Sequence, residues 1–263
     1  MPEPAFQRPP LLFIHGAWHG AWCWDDHFLP WFAARGWECA AVTLRGHGAG
    51  RTEPSVQWTA TAAYLQDIEG AAAMFSQPPV LIAHSLGGYL AMRLLEKRPY
   101  PAVALLTPVP VTGSLPAFLR EFRRTPRLVG RACVRADPAL LLATPQLARH
   151  FLFTEHTPEV TVRRAHERLC GESMMATLET ALRLPNPAAI RRQQTPLLVL
   201  AAGHDGLFSV AEQRRTARAL NADFALVEDA GHDLMLDSAW PRAARLLHDW
   251  LEVKVGQSLV KVG

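Results

Sequence analysis

Short apolar runs alternate with longer amphipathic stretches along most of this chain. Leu11–Ile14 follows Pro9 and Pro10 and contains no polar residue, as a strand buried on both faces requires. Residues 37–44 carry a second such run around Cys39, Ala40, Ala41 and Val42. Residues 80–83, Val103–Leu106, 197–201 and 224–227 complete a set of predicted strands. Between them the spacing changes to that of helices. Residues 59–75 bring Tyr64, Ile68, Ala71 and Ala72 round successive turns, and Leu86, Leu90 and Leu94 lie four apart on one helix face. Helices are predicted again over Val210–Leu220 and residues 240–251. Buried strands alternating with helices imply βαβ units. The predicted fold is therefore α/β, a mostly parallel sheet of about six strands with helices on both faces.

The alternation breaks between Val109 and Gln194. This stretch holds Pro110, Pro116, Pro126, Pro138, Pro145 and further prolines, with helical apolar spacing and no clear strand. It reads as a helical lid inserted after the fourth strand. The predicted organisation is a core over residues 1–109, a lid over 110–194, the rest of the core over 195–252, and a fraying tail over 253–263.

Composition narrows the function. At 263 residues the chain can bury a large core without disulfides. Its 49% hydrophobic and 19% charged content is that of a globular protein, and a net charge of +3 makes no case for nucleic acid. No apolar run reaches the length of a membrane span. Met1-Pro2-Glu3-Pro4 lacks the basic and apolar regions of a signal peptide. Cys23, Cys39, Cys133 and Cys170 have neither CxxC nor zinc spacing, which fits reduced thiols in a cytoplasmic enzyme. The charge is unevenly spread: residues 113–194 carry 13 Arg and no Lys against 7 Asp plus Glu. Those arginines, Arg120, Arg123, Arg124, Arg127, Arg131 and Arg135 among them, read either as a solvated face or as a field that steers anionic substrates.

The candidate chemistry begins at Ser85. The run Val80-Leu81-Ile82-Ala83-His84 stops at Ser85, and Leu86-Gly87-Gly88-Tyr89 restarts as a helix. This is the pattern of a nucleophile elbow, a sharp strand-to-helix turn that projects a hydroxyl above a sheet. A lone Ser needs a base, and the base needs an orienting group. At such an elbow they come from the ends of later strands, acid first. One strand leads into Gly203-His204-Asp205-Gly206 and the next into Gly231-His232-Asp233, so Asp205 is the expected acid and His232 the expected base. His204 competes as base, and Asp229, Asp233 and Asp237 compete as acid. The oxyanion donors are expected at the N–H groups of Leu86 and Ala17, with Gly16 allowing close approach and Gly16 and Trp18 touching substrate. His15 and His19 are four apart and form a weak metal-ligand pattern. No cofactor or metal is predicted.

Together, His15-Gly16-Ala17-Trp18, Leu44-Arg45-Gly46-His47-Gly48, Ala83-His84-Ser85-Leu86-Gly87-Gly88, Asp205-Gly206-Leu207-Phe208 and Gly231-His232-Asp233 resemble the α/β-hydrolase superfamily. The loop from His15 to Trp24 is similar to the branch of plant methyl esterases, hydroxynitrile lyases and bacterial esterase-like relatives. The resemblance implies Ser85 as nucleophile, Asp205 as acid, His232 as base, and the amides of Ala17 and Leu86 as oxyanion donors. The lyases of that branch carry Thr at the position of Gly16 and Lys at that of Asp233, where a carboxylate would repel leaving cyanide. A serine esterase acting on a small-molecule ester is therefore the expected activity. A thioesterase or lactonase acting on an anionic intermediate, a haloperoxidase or C–C hydrolase with the same triad, and a ligand-binding protein with little turnover are the alternatives. Leu119, Phe122, Leu128, Phe151, Leu152, Phe153, Met174 and Met175 either line an apolar pocket or hold the lid to the core.

Overall fold

The computed structural model describes residues 8–48 and 54–260, with backbone alone for residues 54–55 and 256–260. The reading of Met1-Pro2-Glu3-Pro4 lies outside the described residues. The apolar runs become β1 (Leu11–Ile14), β2 (Cys39–Val42), β3 (Val80–His84), β4 (Val103–Leu106), β5 (Leu197–Ala202) and β6 (Asp223–Val227). They form one sheet in the order β2-β1-β3-β4-β5-β6, and every neighbouring pair is parallel. The four inner strands are buried throughout, while β2 and β6 at the edges are partly exposed. This is why the inner strands read as unbroken apolar runs rather than alternating ones.

The pleat divides each strand between two cores. Leu11, Phe13, Val80, Ile82, Leu198 and Leu200 face one side. There they meet α1 (Trp22–Asp25), α2 (Phe28–Ala33) and a long C-terminal helix, through Trp24, Phe28, Phe32, Leu247 and Leu251. Leu12, Ile14, Leu81, Ala83, Val103 and Leu105 face the other side. Their partners are α3 (Thr61–Ala72) and α4 (Leu86–Leu95), through Tyr64, Ile68, Leu90 and Leu94.

Between β4 and β5 lie α5 (Leu115–Arg124), α6 (Pro126–Arg135), α7 (Pro145–Leu152), α8 (Glu159–Arg168), α9 (Met174–Leu182) and α10 (Pro187–Arg192). α10 packs against α4 and against α11 (Val210–Leu220), so it completes the core layer rather than covering it. α12 spans Trp240–Val260. It therefore continues well beyond residue 252, where a fraying tail was expected. Leu247, Leu251 and Val255, four apart, keep one face on the core that far. Residues 261–263 of that expected tail lie outside the described residues.

The chain leaves β1 for β2 on one side and returns to β3 on the other. The loops that follow β1 and β3 diverge from adjacent strand ends, with Ile14 paired to Ala83. Such a switch point opens a crevice at the carboxyl end of a parallel sheet. The loop with Gly16 and Ala17 is thereby set beside Ser85.

Candidate active site

Ser85 sits between β3 and α4 with φ 50° and ψ −114°, a conformation that costs a non-glycine residue backbone strain. Three glycines make room for the turn. A Cβ at Gly87 would lie 2.6 Å from the His15 carbonyl, and one at Gly88 would lie 2.6 Å from Pro108. A Cβ at Gly16 would lie 2.6 Å from His84 Nδ1 and 2.9 Å from Ser85 Cβ.

Asp205 and His232 come from the loops after β5 and β6. The Ser85 hydroxyl lies 2.9 Å from His232 Nε2, and His232 Nδ1 lies 2.9 Å from Asp205 Oδ2 and 3.0 Å from Oδ1. An ionised carboxylate only accepts, so Nδ1 carries the proton and Nε2 is left to accept from Ser85. Asp205 is fixed by the amides of Leu207 and Phe208, at 2.8 and 3.0 Å. Burial draws the His232 pKa down, but the Asp205 charge and hydrogen bond, with Asp233 adding to them, raise it above the usual 6.5. The line from Ser85 to Asp205 can pass a proton from hydroxyl to imidazole and hold the resulting cation.

The competing carboxylates are otherwise engaged, and His204 is exposed at the surface. Asp229 pairs with Arg242 at the surface. Asp237 is buried and accepts from Thr154 N and Thr157 Oγ1. Asp233 does not face a leaving group as expected. It is fully buried, does not line the cavity, and lies 3.0 Å from His19 Nε2 and 3.6 Å from His84 Nε2. Burial alone would raise its pKa; pairing with His19 outweighs that and lowers it. His19 Nδ1 lies 2.7 Å from the Ala17 carbonyl. A buried pair thus ties the loop after β1 to the residue next to His232. His15 is engaged separately, with Nδ1 on the Gly16 carbonyl and Nε2 on the Leu44 amide. The two histidines do not converge as metal ligands.

His84 was not foreseen as part of the site. It lies 3.1 Å from the His232 carbonyl, which also accepts from Thr107 Oγ1 at 2.9 Å. Burial, with His232 close by, lowers its pKa to about 3, so it stays neutral and donates through Nε2. Its adjacency to Ser85 in sequence was the available signal. Ligating atoms of His84, His232 and Asp233 all lie within 4.8 Å of one another. Both His232 nitrogens are already committed to Ser85 and Asp205, so this cluster is a poor metal cage.

Above Ser85 opens a cavity of about 300 Å³, with apolar side chains over most of its wall. Ala17, Trp18, Leu86, Val109, Leu207 and Phe208 supply the core side, while Leu115, Phe118, Leu141, Phe151, Leu178 and Leu182 supply the lid side. Of the two residues expected to touch substrate, Trp18 lines the cavity and Gly16 does not, because it is pressed against His84 and Ser85. Of the eight lid residues expected to line a pocket or anchor the lid, Phe151 and Met174 line it. Leu152 and Phe153 are buried in the core, Leu128 packs against it, and Leu119 and Phe122 are exposed. Leu86 opens α4, so its N–H has no acceptor within the helix. The Ala17 N–H bonds to no backbone carbonyl among the described residues. Glu172, another residue absent from the sequence reading, reaches the cavity while bonded to His47 and Tyr64 at 3.0 and 3.1 Å. Nothing in its local sequence distinguishes it.

Comparison with known proteins agrees with this architecture. The probable esterase PIR7A of Oryza sativa subsp. indica is 27% identical over 252 residues, 88% of this chain and 92% of the relative. The pFDCC methylesterase MES16 of Arabidopsis thaliana is 24% identical over 222 residues, 77% of this chain and 79% of the relative. Among solved structures, polyneuridine aldehyde esterase superposes with a TM-score of 0.70 at 17% identity, over 92% of this chain and 99% of that one. The sequence model of the alpha/beta hydrolase family matches residues 11–246, and with that match over a six-stranded parallel sheet the chain belongs to the alpha/beta hydrolase family.

Proposed function

We propose that the protein is a serine esterase that cleaves a carboxylic ester of a small or medium apolar molecule through an acyl-enzyme. The observation that carries this reading is the unbroken line of hydrogen bonds from Ser85 through His232 to Asp205, at the base of an apolar cavity. In this reading Ser85 Oγ attacks the ester carbonyl as His232 Nε2 takes its proton. Asp205 holds the ring and stabilises the imidazolium. The amides of Ala17 and Leu86 meet the developing alkoxide. His232 then protonates the leaving alcohol, and water activated by the same imidazole clears the acyl group. Arg120, the arginine that lines the cavity, is held by Glu212 at 3.3 Å. That pairing favours a neutral ester over an anionic acyl group.

The test is a panel of p-nitrophenyl esters of increasing acyl length, run with wild type and Ser85→Ala. The variant should lose roughly 10⁴- to 10⁶-fold in kcat on every ester. Unimpaired turnover would overturn the mechanism.

A further inference from the structure

Helix α5 is built the wrong way round for a surface helix. Leu115, Phe118, Leu119 and Phe122 recur at the spacing of one helix face, which normally turns toward the core. None of the ten residues of α5 is buried, and these four are 42%, 39%, 42% and 44% exposed. The side turned inward is the polar one. There Arg120 bonds the Leu207 carbonyl at 2.6 Å and pairs with Glu212. The apolar face is therefore left part exposed, with Leu115 and Phe118 at the cavity and Leu119 and Phe122 outside it.

The face continues onto the neighbouring helix. α5 is joined to α9 through a Ser114–Thr180 hydroxyl contact of 2.8 Å. On α9, Leu178 and Leu182 are 44% and 73% exposed. Leu115, Phe118, Leu178 and Leu182 also line the cavity over Ser85, so the exposed surface is the rim of its mouth. A contiguous apolar rim of this kind marks an interaction surface.

Charge identifies the partner. Arg123 and Arg124 end α5, and Arg127, Arg131 and Arg135 stand four apart along the exposed face of α6. None of these five has a carboxylate within ion-pair reach among the described residues, whereas Arg149, Arg163, Arg164 and Arg168 elsewhere in the lid are all paired. An amphipathic helix with an outward apolar stripe flanked by unpaired arginines matches an anionic lipid surface in both hydrophobicity and sign. We infer that the α5–α6 corner of the lid docks on anionic membrane surfaces, with the mouth of the cavity facing the bilayer. Delivery of an apolar ester from the bilayer rests on the esterase reading of Ser85; the docking does not.

The experiment is co-sedimentation with vesicles of phosphatidylcholine mixed with phosphatidylglycerol, and with vesicles of phosphatidylcholine alone. The protein should bind the mixed vesicles, lose that binding as salt rises, and bind pure phosphatidylcholine weakly. Leu119→Ser/Phe122→Ser and Arg123→Glu/Arg127→Glu should each lower binding by about tenfold or more. Both should keep wild-type turnover of a short water-soluble ester, since none of the four residues lines the cavity. Ser85→Ala should bind as wild type does, which separates this inference from the catalytic one. Equal binding to both vesicle types, or binding untouched by either double variant, overturns it. So does a wild-type dimer that Leu119→Ser/Phe122→Ser turns into a monomer, because the face would then serve self-association.

Discussion

The cavity has two walls of different character. On the core wall Ser85 reaches the cavity, with Asp205, His232 and His84 behind it, each held by hydrogen bonds of 2.8–3.1 Å from buried strand ends. On the lid wall, Leu115, Phe118, Leu178 and Leu182 make apolar contacts from half-exposed helices. Directional bonds in a buried setting fix atoms to the tolerance that proton transfer needs. Apolar contacts tolerate changes in the shape of what they hold. Under the proposed esterase reading, the difference puts reaction chemistry on the core wall and choice of substrate on the lid.

This division can be broken by substitution, and after Ser85→Ala the largest effect is expected at Asp205. Asp205→Asn keeps the shape but removes the charge that holds His232 in its tautomer, and kcat should fall by about 10⁴-fold on all esters. The same variant tests pH dependence. His232 accepts a proton only when neutral, and its pKa lies above 6.5. Activity should therefore rise with pH through an ionisation above 6.5, and loss of the carboxylate should move that limb to lower pH. An unmoved limb would mean that another group titrates.

Gly16→Ala should come next. Its Cβ would meet His84 Nδ1 at 2.6 Å, forcing the loop and the Ala17 amide out of place. A loss of about 10²- to 10³-fold in kcat is expected, as for removal of one oxyanion donor. A variant with normal kcat would show that the Ala17 amide plays no such part.

Asp233→Asn should be milder. It leaves the bonds between Ser85, His232 and Asp205 intact but weakens the tie to His19 and the Ala17 carbonyl. We expect kcat to fall by about 10- to 100-fold with KM nearly unchanged, since the donor is loosened rather than lost. A change confined to KM would move Asp233 to a binding role.

The smallest effect belongs to the lid wall. Phe118→Ala should raise KM for long-chain esters by about tenfold, with little change for an acetate ester or in kcat. An equal loss on both esters would erase the distinction between the walls.

Much of the core wall was legible in the sequence. Each inner strand is a local apolar run, and Ser85, Asp205 and His232 follow their strand ends in chain order. The lid was legible only as a helical insertion. Leu115, Phe118, Leu119 and Phe122 have the spacing of a core-facing stripe, and nothing local reveals that they stay part exposed. Asp233 likewise reads as a polar neighbour of His232, yet its partner is His19, which lies 214 residues away in the chain.

By itself, the sequence determined which segments become strands and helices, and the order in which Ser85, Asp205 and His232 follow their strand ends. Those features follow from short-range periodicity and from the geometry of a parallel sheet, both of which are written in neighbouring residues. The tertiary structure alone decided that Gly16 yields its space to His84, that Asp233 anchors the loop after β1, and that α5 leaves its apolar face part exposed. Burial and pairing depend on which distant segments pack together, and local periodicity carries no information about that.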